Sequence, residues 1–219
     1  HRAHASNVGV VSSFKHAGIG WLMDKEINFL QKFMVSPRRP LVLILGGSKI
    51  DTKLSLIDQF LSKADYILIG GGMAFTFLKA KGKNIAKSLV DEKMIPIAKK
   101  IMNKARVQSV KLILPTDFIC GESLDDKDPK GPYEINKIPE NLMGLDIGPK
   151  TLSRYNSILG ESKTVVWNGP MGVFEQKGYE VGTREMGIHL VSCITNGTNV
   201  IVGGGDTASA LRHFKLAEK

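Results

Sequence analysis

The stretch LVLILGGSKIDTK, residues 41–53, runs five apolar residues into two glycines and then into polar, helix-compatible sequence. An unbroken apolar run of this length reads as a strand covered on both faces, because a half-exposed strand would alternate. The pattern returns as ILIGGGMA at residues 67–74 and as VIVGGGDTA at residues 200–208. Glycine admits positive φ and lets a ligand approach bare backbone, while a helix start presents unpaired N–H groups and partial positive charge. Several such turns on one sheet edge make an anion site, although glycine is also the simplest way to leave a strand.

Outward from these turns, apolar runs alternate with longer periodic segments. Strands are expected at 41–45, 66–69, 111–114, 164–167 and 199–202, and helices at 51–62, 73–79, 90–104, 150–159, 182–193 and 206–214. That alternation is the pattern of an α/β fold, a Rossmann-like parallel sheet with helices on both faces. In the first helix Leu54, Leu56, Ile57, Phe60 and Leu61 form a wide apolar stripe. Residues 121–139, rich in Asp, Lys, Gly and Pro, read as a long surface excursion containing a hairpin.

Upstream, Trp21, Leu22, Ile27, Leu30 and Met34 are spaced for an amphipathic helix that SPRRP at 36–40 ends. The expected organisation is the end of one domain at 1–18, a connector helix at 19–37 and a second domain at 38–219. Further sequence is expected at both ends. No repeat of fixed period accounts for the glycine turns.

The chain has 219 residues, 42% of them hydrophobic, which is enough for one good core and a fragment of another unit. No apolar run approaches the ~20 residues of a membrane span, so no membrane partner is expected and a cytoplasmic location is. Cys120 and Cys193 form no Cys-x-x-Cys pair and fit a reducing compartment. The net charge of +9 favours anionic partners. Its lysines are scattered, and the densest cluster, KAKGK at 79–83, has no interleaved aromatics, so a phosphate-bearing small molecule accounts for the charge as well as nucleic acid does.

Asp206 follows three glycines at a helix start. It serves either as an N-cap or as a ligand of Mg²⁺, which takes only one or two protein carboxylates when it arrives with phosphates. Thr207 beside it can donate to a phosphate oxygen. Lys49 and Lys53, four apart, would share one face at a helix N-terminus, where like charges cost a few tenths of a kcal/mol that an anion would offset. In VVWNGPMGVFE, residues 165–175, another strand meets an Asn-Gly-Pro turn. Trp167 and Phe174 read as core, and Glu175 as an acceptor for ribose hydroxyls. GGGDTA fits G-x-G-x-x-[GA] through Gly203, Gly205 and Ala208, but the acidic ribose ligand expected ~20 residues later lies past Lys219. No G-x-x-x-x-G-K-[ST] motif occurs.

Taken in order, LGGSKIDTK, IGGGMAFTFL, VVWNGPMGVFE and VGGGDTA resemble phosphoglycerate kinase, and HRAHAS at the start resembles the end of that family's N-terminal domain. The resemblance runs through essentially the whole chain. It implies a two-domain, monomeric, hinge-bending enzyme that moves a phosphoryl group between 1,3-bisphosphoglycerate and MgADP, giving 3-phosphoglycerate and MgATP. By matching motif, Gly47 and the turn Gly70, Gly71 and Gly72 lie against the nucleotide. Lys49 meets the transferring phosphoryl group and Lys53 holds nucleotide phosphates. Asn168, Pro170, Gly172 and Val173 line the nucleotide pocket, with Glu175 on the ribose. Gly204, Gly205, Asp206 and Thr207 form the phosphate and magnesium end, with Asp206 on the metal. Arg2 is implied as a catalytic ligand of the phosphoglycerate, with His1 and His4 in the same basic neighbourhood.

Most of the acid-substrate ligands and the family's Thr-Gly-Gly-Gly-Ala loop are absent from these 219 residues, so the fragment alone is expected to be nearly inactive. A carboxylate nucleophile is already ionised at neutral pH and needs no general base. Two rival readings remain: a nicotinamide-dependent oxidoreductase on the same sheet, and a non-catalytic basic module that binds nucleic acid or protein.

Overall fold

The computed structural model describes residues 9, 11–21, 24–25 and 36–217. The chain falls into two compact units, residues 1–37 and 38–219. In the first, a 3-10 turn spans Val11–Ser13. His1, Arg2 and His4, and most of the expected connector helix, lie outside the described residues.

The second unit holds a five-stranded parallel sheet and a three-stranded antiparallel one. Strands β1 (Leu41–Leu45), β2 (Tyr66–Ile69), β3 (Lys111–Ile113), β7 (Thr164–Asn168) and β8 (Asn199–Gly203) form the first, in the order β3-β2-β1-β7-β8. Every residue of β1 is buried, as an unbroken apolar run requires. Between the strands run helices α1 (Leu54–Phe60), α2 (Met73–Ala80), α3 (Ile95–Val107), α4 (Pro149–Glu161), α5 (Val181–Thr195) and α6 (Gly205–His213). Proline in the first turn fixes the starts of α3 and α4.

Right-handed crossovers carry α1, α2 and α3 to one face and α5 to the other, because the strand order reverses at β1. On the second face Val42, Ile44, Val165 and Trp167 pack with Tyr155 and Leu159 of α4, Met186 and Leu190 of α5 and Leu211 of α6. The alternate strand positions Leu43, Leu45, Ile67 and Ile69 are equally buried. Helices therefore cover both faces, as the sequence predicts.

Two local expectations change. The first helix begins later than predicted, since Asp51–Lys53 is a 3-10 turn and α1 starts at Leu54. Lys49 precedes that turn, its carbonyl accepting from Thr52 Oγ1 at 3.1 Å, so Lys49 and Lys53 do not share an α-helical face. The excursion at 121–139 holds the expected hairpin, β4 (Asp117–Gly121) with β5 (Lys130–Glu134), but as part of a sheet in which β6 (Met143–Ile147) also pairs with β4, in the order β5-β4-β6. Cys120 and Cys193 are both buried and unbridged.

Candidate functional site

The carboxyl ends of β1, β2, β7 and β8 meet at the reversal of strand order, the usual ligand crevice of an open α/β sheet. The loop 169–174 after β7 is the centre of that meeting. Asn168 O accepts from Gly46 N at 3.0 Å, Pro170 O from Gly47 N at 2.8 Å, and Met171 O from Gly71 N at 3.0 Å. In the other direction Val173 N donates to Leu145 O of β6 at 2.9 Å. Gly169 N donates to Thr207 Oγ1 at 2.6 Å and Met171 N to Thr183 Oγ1 at 2.9 Å. The first two glycine turns are thus bonded directly to the β7 end and its loop, and the helix after the third reaches it through Thr207.

This arrangement explains part of the glycine pattern without a ligand. A Cβ at Gly46 would stand 2.0 Å from Pro170 O, and one at Gly70 2.4 Å from Met171 Sδ. Gly71, at φ +62°, has Gly47 N 2.5 Å from its missing Cβ. These glycines let the turns stack on one another. At Gly205 the missing Cβ meets nothing within 4 Å, so close packing does not account for it.

Above the loop lies a cleft of about 210 Å³ lined by Gly47, Ser48, Gly71, Gly72, Leu89, Leu124, Met143, Gly144, Leu145, Pro170, Gly172, Val173, Phe174, Glu175 and Asp206. Its apolar wall comes from Leu89, β6 and the β4–β5 connection, a contribution the sequence reading missed. Glu175 and Asp206 are exposed at its rim. Of the predicted residues, Gly70, Lys49, Lys53, Asn168, Gly204, Gly205 and Thr207 do not line this cleft. Lys49 is exposed on the turn after β1. Thr207 is fully buried with its hydroxyl accepting from Gly169 N, so its side chain supports the loop.

Lys53 is half-buried beside the cleft and its Nζ donates to Asn168 Oδ1. Burial pushes the Lys53 ammonium below its ordinary value, and the nearby Asp206 carboxylate opposes that push. Asp206 is the second residue of α6; the N-cap is Gly204 at φ 90°, and no side chain caps this end. The capping role open to Asp206 in the sequence is therefore not the one it takes. Its exposed carboxylate offers one oxygen ligand to a cation arriving with phosphates, while the helix N-terminus and the Lys53 ammonium suit the phosphates themselves. Among the described residues no three His, Cys, Asp or Glu gather at one point.

Asp146, which the sequence reading also missed, is 2% exposed at the end of β6 behind the loop. Its Oδ2 accepts from Gly182 N at 2.7 Å and its Oδ1 from its own neighbour Ile147 N at 2.8 Å. Burial pushes this carboxyl well above the ordinary carboxylate range; the two amides pull it back and the Glu180 charge adds to the push. The signal available in sequence was an acid inside the otherwise apolar run MGLDI.

A second hollow, of about 330 Å³, opens among Trp167, Leu190, Val200, Val202, Leu211 and Leu216. Among the described residues of its lining, Arg212 is the one ionisable side chain.

A family model described as phosphoglycerate kinase matches residues 1–219. Curated relatives named phosphoglycerate kinase include those of Thermosipho africanus, 43% identical over 220 residues, and Levilactobacillus brevis, 46% identical over 219 residues. All of this chain aligns with each, covering 54% and 53% of their lengths. The solved phosphoglycerate kinase of Coxiella burnetii superposes with a TM-score of 0.87 at 39% identity, over the whole of this chain and 55% of that one. That of Pyrococcus horikoshii gives 0.70 at 26% identity, covering 62% of its length. The chain spans about half the length of the curated relatives it matches. The match of that family model over every residue means that the chain belongs to the phosphoglycerate kinase family.

Proposed function

We propose that this chain is the nucleotide-binding half of a phosphoglycerate kinase. The complete protein would transfer a phosphoryl group reversibly between 1,3-bisphosphoglycerate and MgADP. Residues 1–18 are the end of the acid-substrate domain, 19–37 the connector and 38–219 the nucleotide domain, in a monomeric cytoplasmic enzyme. The observation that carries the reading is one apolar cleft with an uncapped carboxylate, Asp206, at one end and the ribose acceptor Glu175 on its rim.

The base lies against Leu89, Met143, Leu145 and Phe174, whose side chains offer area and no hydrogen-bond code. Gly47, Gly71, Gly72, Pro170, Gly172 and Val173 bring bare or nearly bare backbone to the nucleotide. Its phosphates reach Lys53 and the open N–H groups of Gly204 and Gly205. Asp206 holds the magnesium, which when bound neutralises phosphate charge. In the direction of ATP use, a carboxylate oxygen of 3-phosphoglycerate forms a bond to the γ-phosphorus while the bond to the bridging β,γ-oxygen breaks, and ADP keeps that electron pair. Lys49, exposed on its turn, stabilises the charge on the phosphoryl group in flight, and Arg2 orients the acid. No proton transfer is needed, so the residues position and stabilise. Alone, the fragment turns over very slowly.

Calorimetric titration of the chain with ADP, with and without Mg²⁺, tests this. Saturable binding altered by Mg²⁺, and insensitive to Mg²⁺ in Asp206→Ala, is expected. A cooperatively melting chain that ignores ADP, or prefers NAD, overturns it.

A further inference from the structure

We propose that Asp146 is a positioning residue for the nucleotide cleft, acting by tying together the two grips that hold the loop 169–174. The first grip is Leu145 O of β6, which takes the Val173 amide at 2.9 Å. The second is Thr183 Oγ1 of α5, which takes the Met171 amide at 2.9 Å. These two contacts flank Gly172, which lines the cleft. Asp146 follows Leu145 in the chain, and its Oδ2 accepts from Gly182 N, the residue before Thr183. One carboxylate thus links the strand-side grip to the helix-side grip.

The fit around it is tight on both sides. A Cβ at Gly172 would stand 2.3 Å from Asp146 Oδ1, and a Cβ at Gly182 2.4 Å from the same atom. Asp146 therefore sets how far the loop sinks toward β6 and how close the start of α5 approaches. Loop height decides where Pro170, Gly172 and Val173 stand in the cleft. Among the described residues the carboxylate meets no cation: its partners are two backbone amides, and the charged neighbour is Glu180. A buried acid without a counter-ion is a costly way to fill space. What it supplies is an acceptor of fixed length between two backbone segments, near the N-terminal end of α5, where negative charge is favoured.

This inference rests on the reading of the cleft as a nucleotide site. In the full-length enzyme, Asp146→Ala removes the acceptor of Gly182 N and breaks the tie. KM for MgADP should rise about tenfold, the effect of one lost hydrogen bond, while KM for the phosphoglycerate stays unchanged. Thr183→Val removes the helix-side grip and should do the same. Because both act through one linkage, the double variant should be scarcely worse than either single one, a coupling that a general loosening of the fold does not produce.

Unchanged KM for MgADP in folded Asp146→Ala, equal rises for both substrates, or additive effects in the double variant overturn the proposal. Should Asp146→Ala not fold, Gly182→Ala displaces the same carboxylate, and a normal nucleotide KM there overturns it equally. Wild-type protein that binds no ADP overturns the reading of the cleft; wild-type binding with indifferent variants overturns only the role of Asp146.

Discussion

Lys53 Nζ donates to Asn168 Oδ1, joining the turn after β1 to the last residue of β7 across the point where the strand order reverses. The amide oxygen holds a half-buried ammonium within reach of the Asp206 charge. Asn168→Ala leaves that ammonium to swing toward solvent, so affinity for ADP should fall about tenfold, within the range for a hydrogen bond to a charged group. Calorimetry on the folded variant checks this, and undiminished affinity would mean that Lys53 needs no holding.

The same lysine predicts a proton linkage. Burial lowers its pKa in the free protein, and phosphate oxygens arriving beside it favour the charged form and raise that value again. Binding therefore takes up protons when the solution is alkaline enough to have partly discharged Lys53. The measured heat of ADP binding should then depend on the ionisation enthalpy of the buffer, and Lys53→Met should abolish that dependence.

Lys49 carries the opposite expectation. It is exposed and lies outside the cleft lining, so it contributes to the transferring group and little to nucleotide affinity. Lys49→Ala in the complete enzyme should lower kcat by roughly 10²–10³-fold with a nearly unchanged Kd for MgADP. Steady-state kinetics alongside calorimetry separates the two quantities.

Two glycines should respond in contrary ways. Gly71→Ala forces a side chain into left-handed backbone and against Gly47 N, a loss of about 3 kcal/mol or more from strain and overpacking together. Gly205→Ala enters open space and should change stability by less than about 0.5 kcal/mol, yet weaken ADP binding by crowding the first turn of α6. Urea unfolding and calorimetry on both variants give the comparison.

Away from the site, Asp65 accepts from Arg39 Nη2 at 2.6 Å and from Leu41 N at 2.6 Å. Burial pushes its carboxyl up, but Arg39 and the Leu41 amide together outweigh this and leave it below the ordinary value. A carboxyl depressed in the folded state stabilises the fold above its unfolded pKa, and that stability is lost as pH falls through the folded value. Asp65→Asn should therefore be less stable than wild type at neutral pH, with the difference shrinking in acid; pH-dependent urea melts report it.

The parallel sheet was legible because each strand is an apolar run closed by a sharp change of composition. For β1 the predicted and observed bounds coincide at Leu41–Leu45. The antiparallel sheet was legible only as a hairpin, because β5 reads KGPYE, whose glycine and proline signal a turn when read locally, and no local signal places β6 beside β4. Losing that sheet also hid the apolar wall of the cleft, since Met143 and Leu145 belong to β6. The polar end was easier, because Lys53, Asn168 and Asp206 are chemical types that stand out beside glycine. Thr207 stands out for the same reason, but composition does not reveal that its hydroxyl is buried and accepts from Gly169 N.

The loop after β7 also dictates where this chain can change length. Its carbonyls and amides are committed in register to two glycine turns, to β6 and to two threonine hydroxyls, so one inserted residue at 169–174 would shift several pairings at once. The exposed turn at 81–84, between α2 and the segment leading to α3, has no such obligations to the cleft. Insertions and deletions among natural variants, and grafted peptides or affinity tags in the laboratory, should accumulate at the second place and be purged from the first.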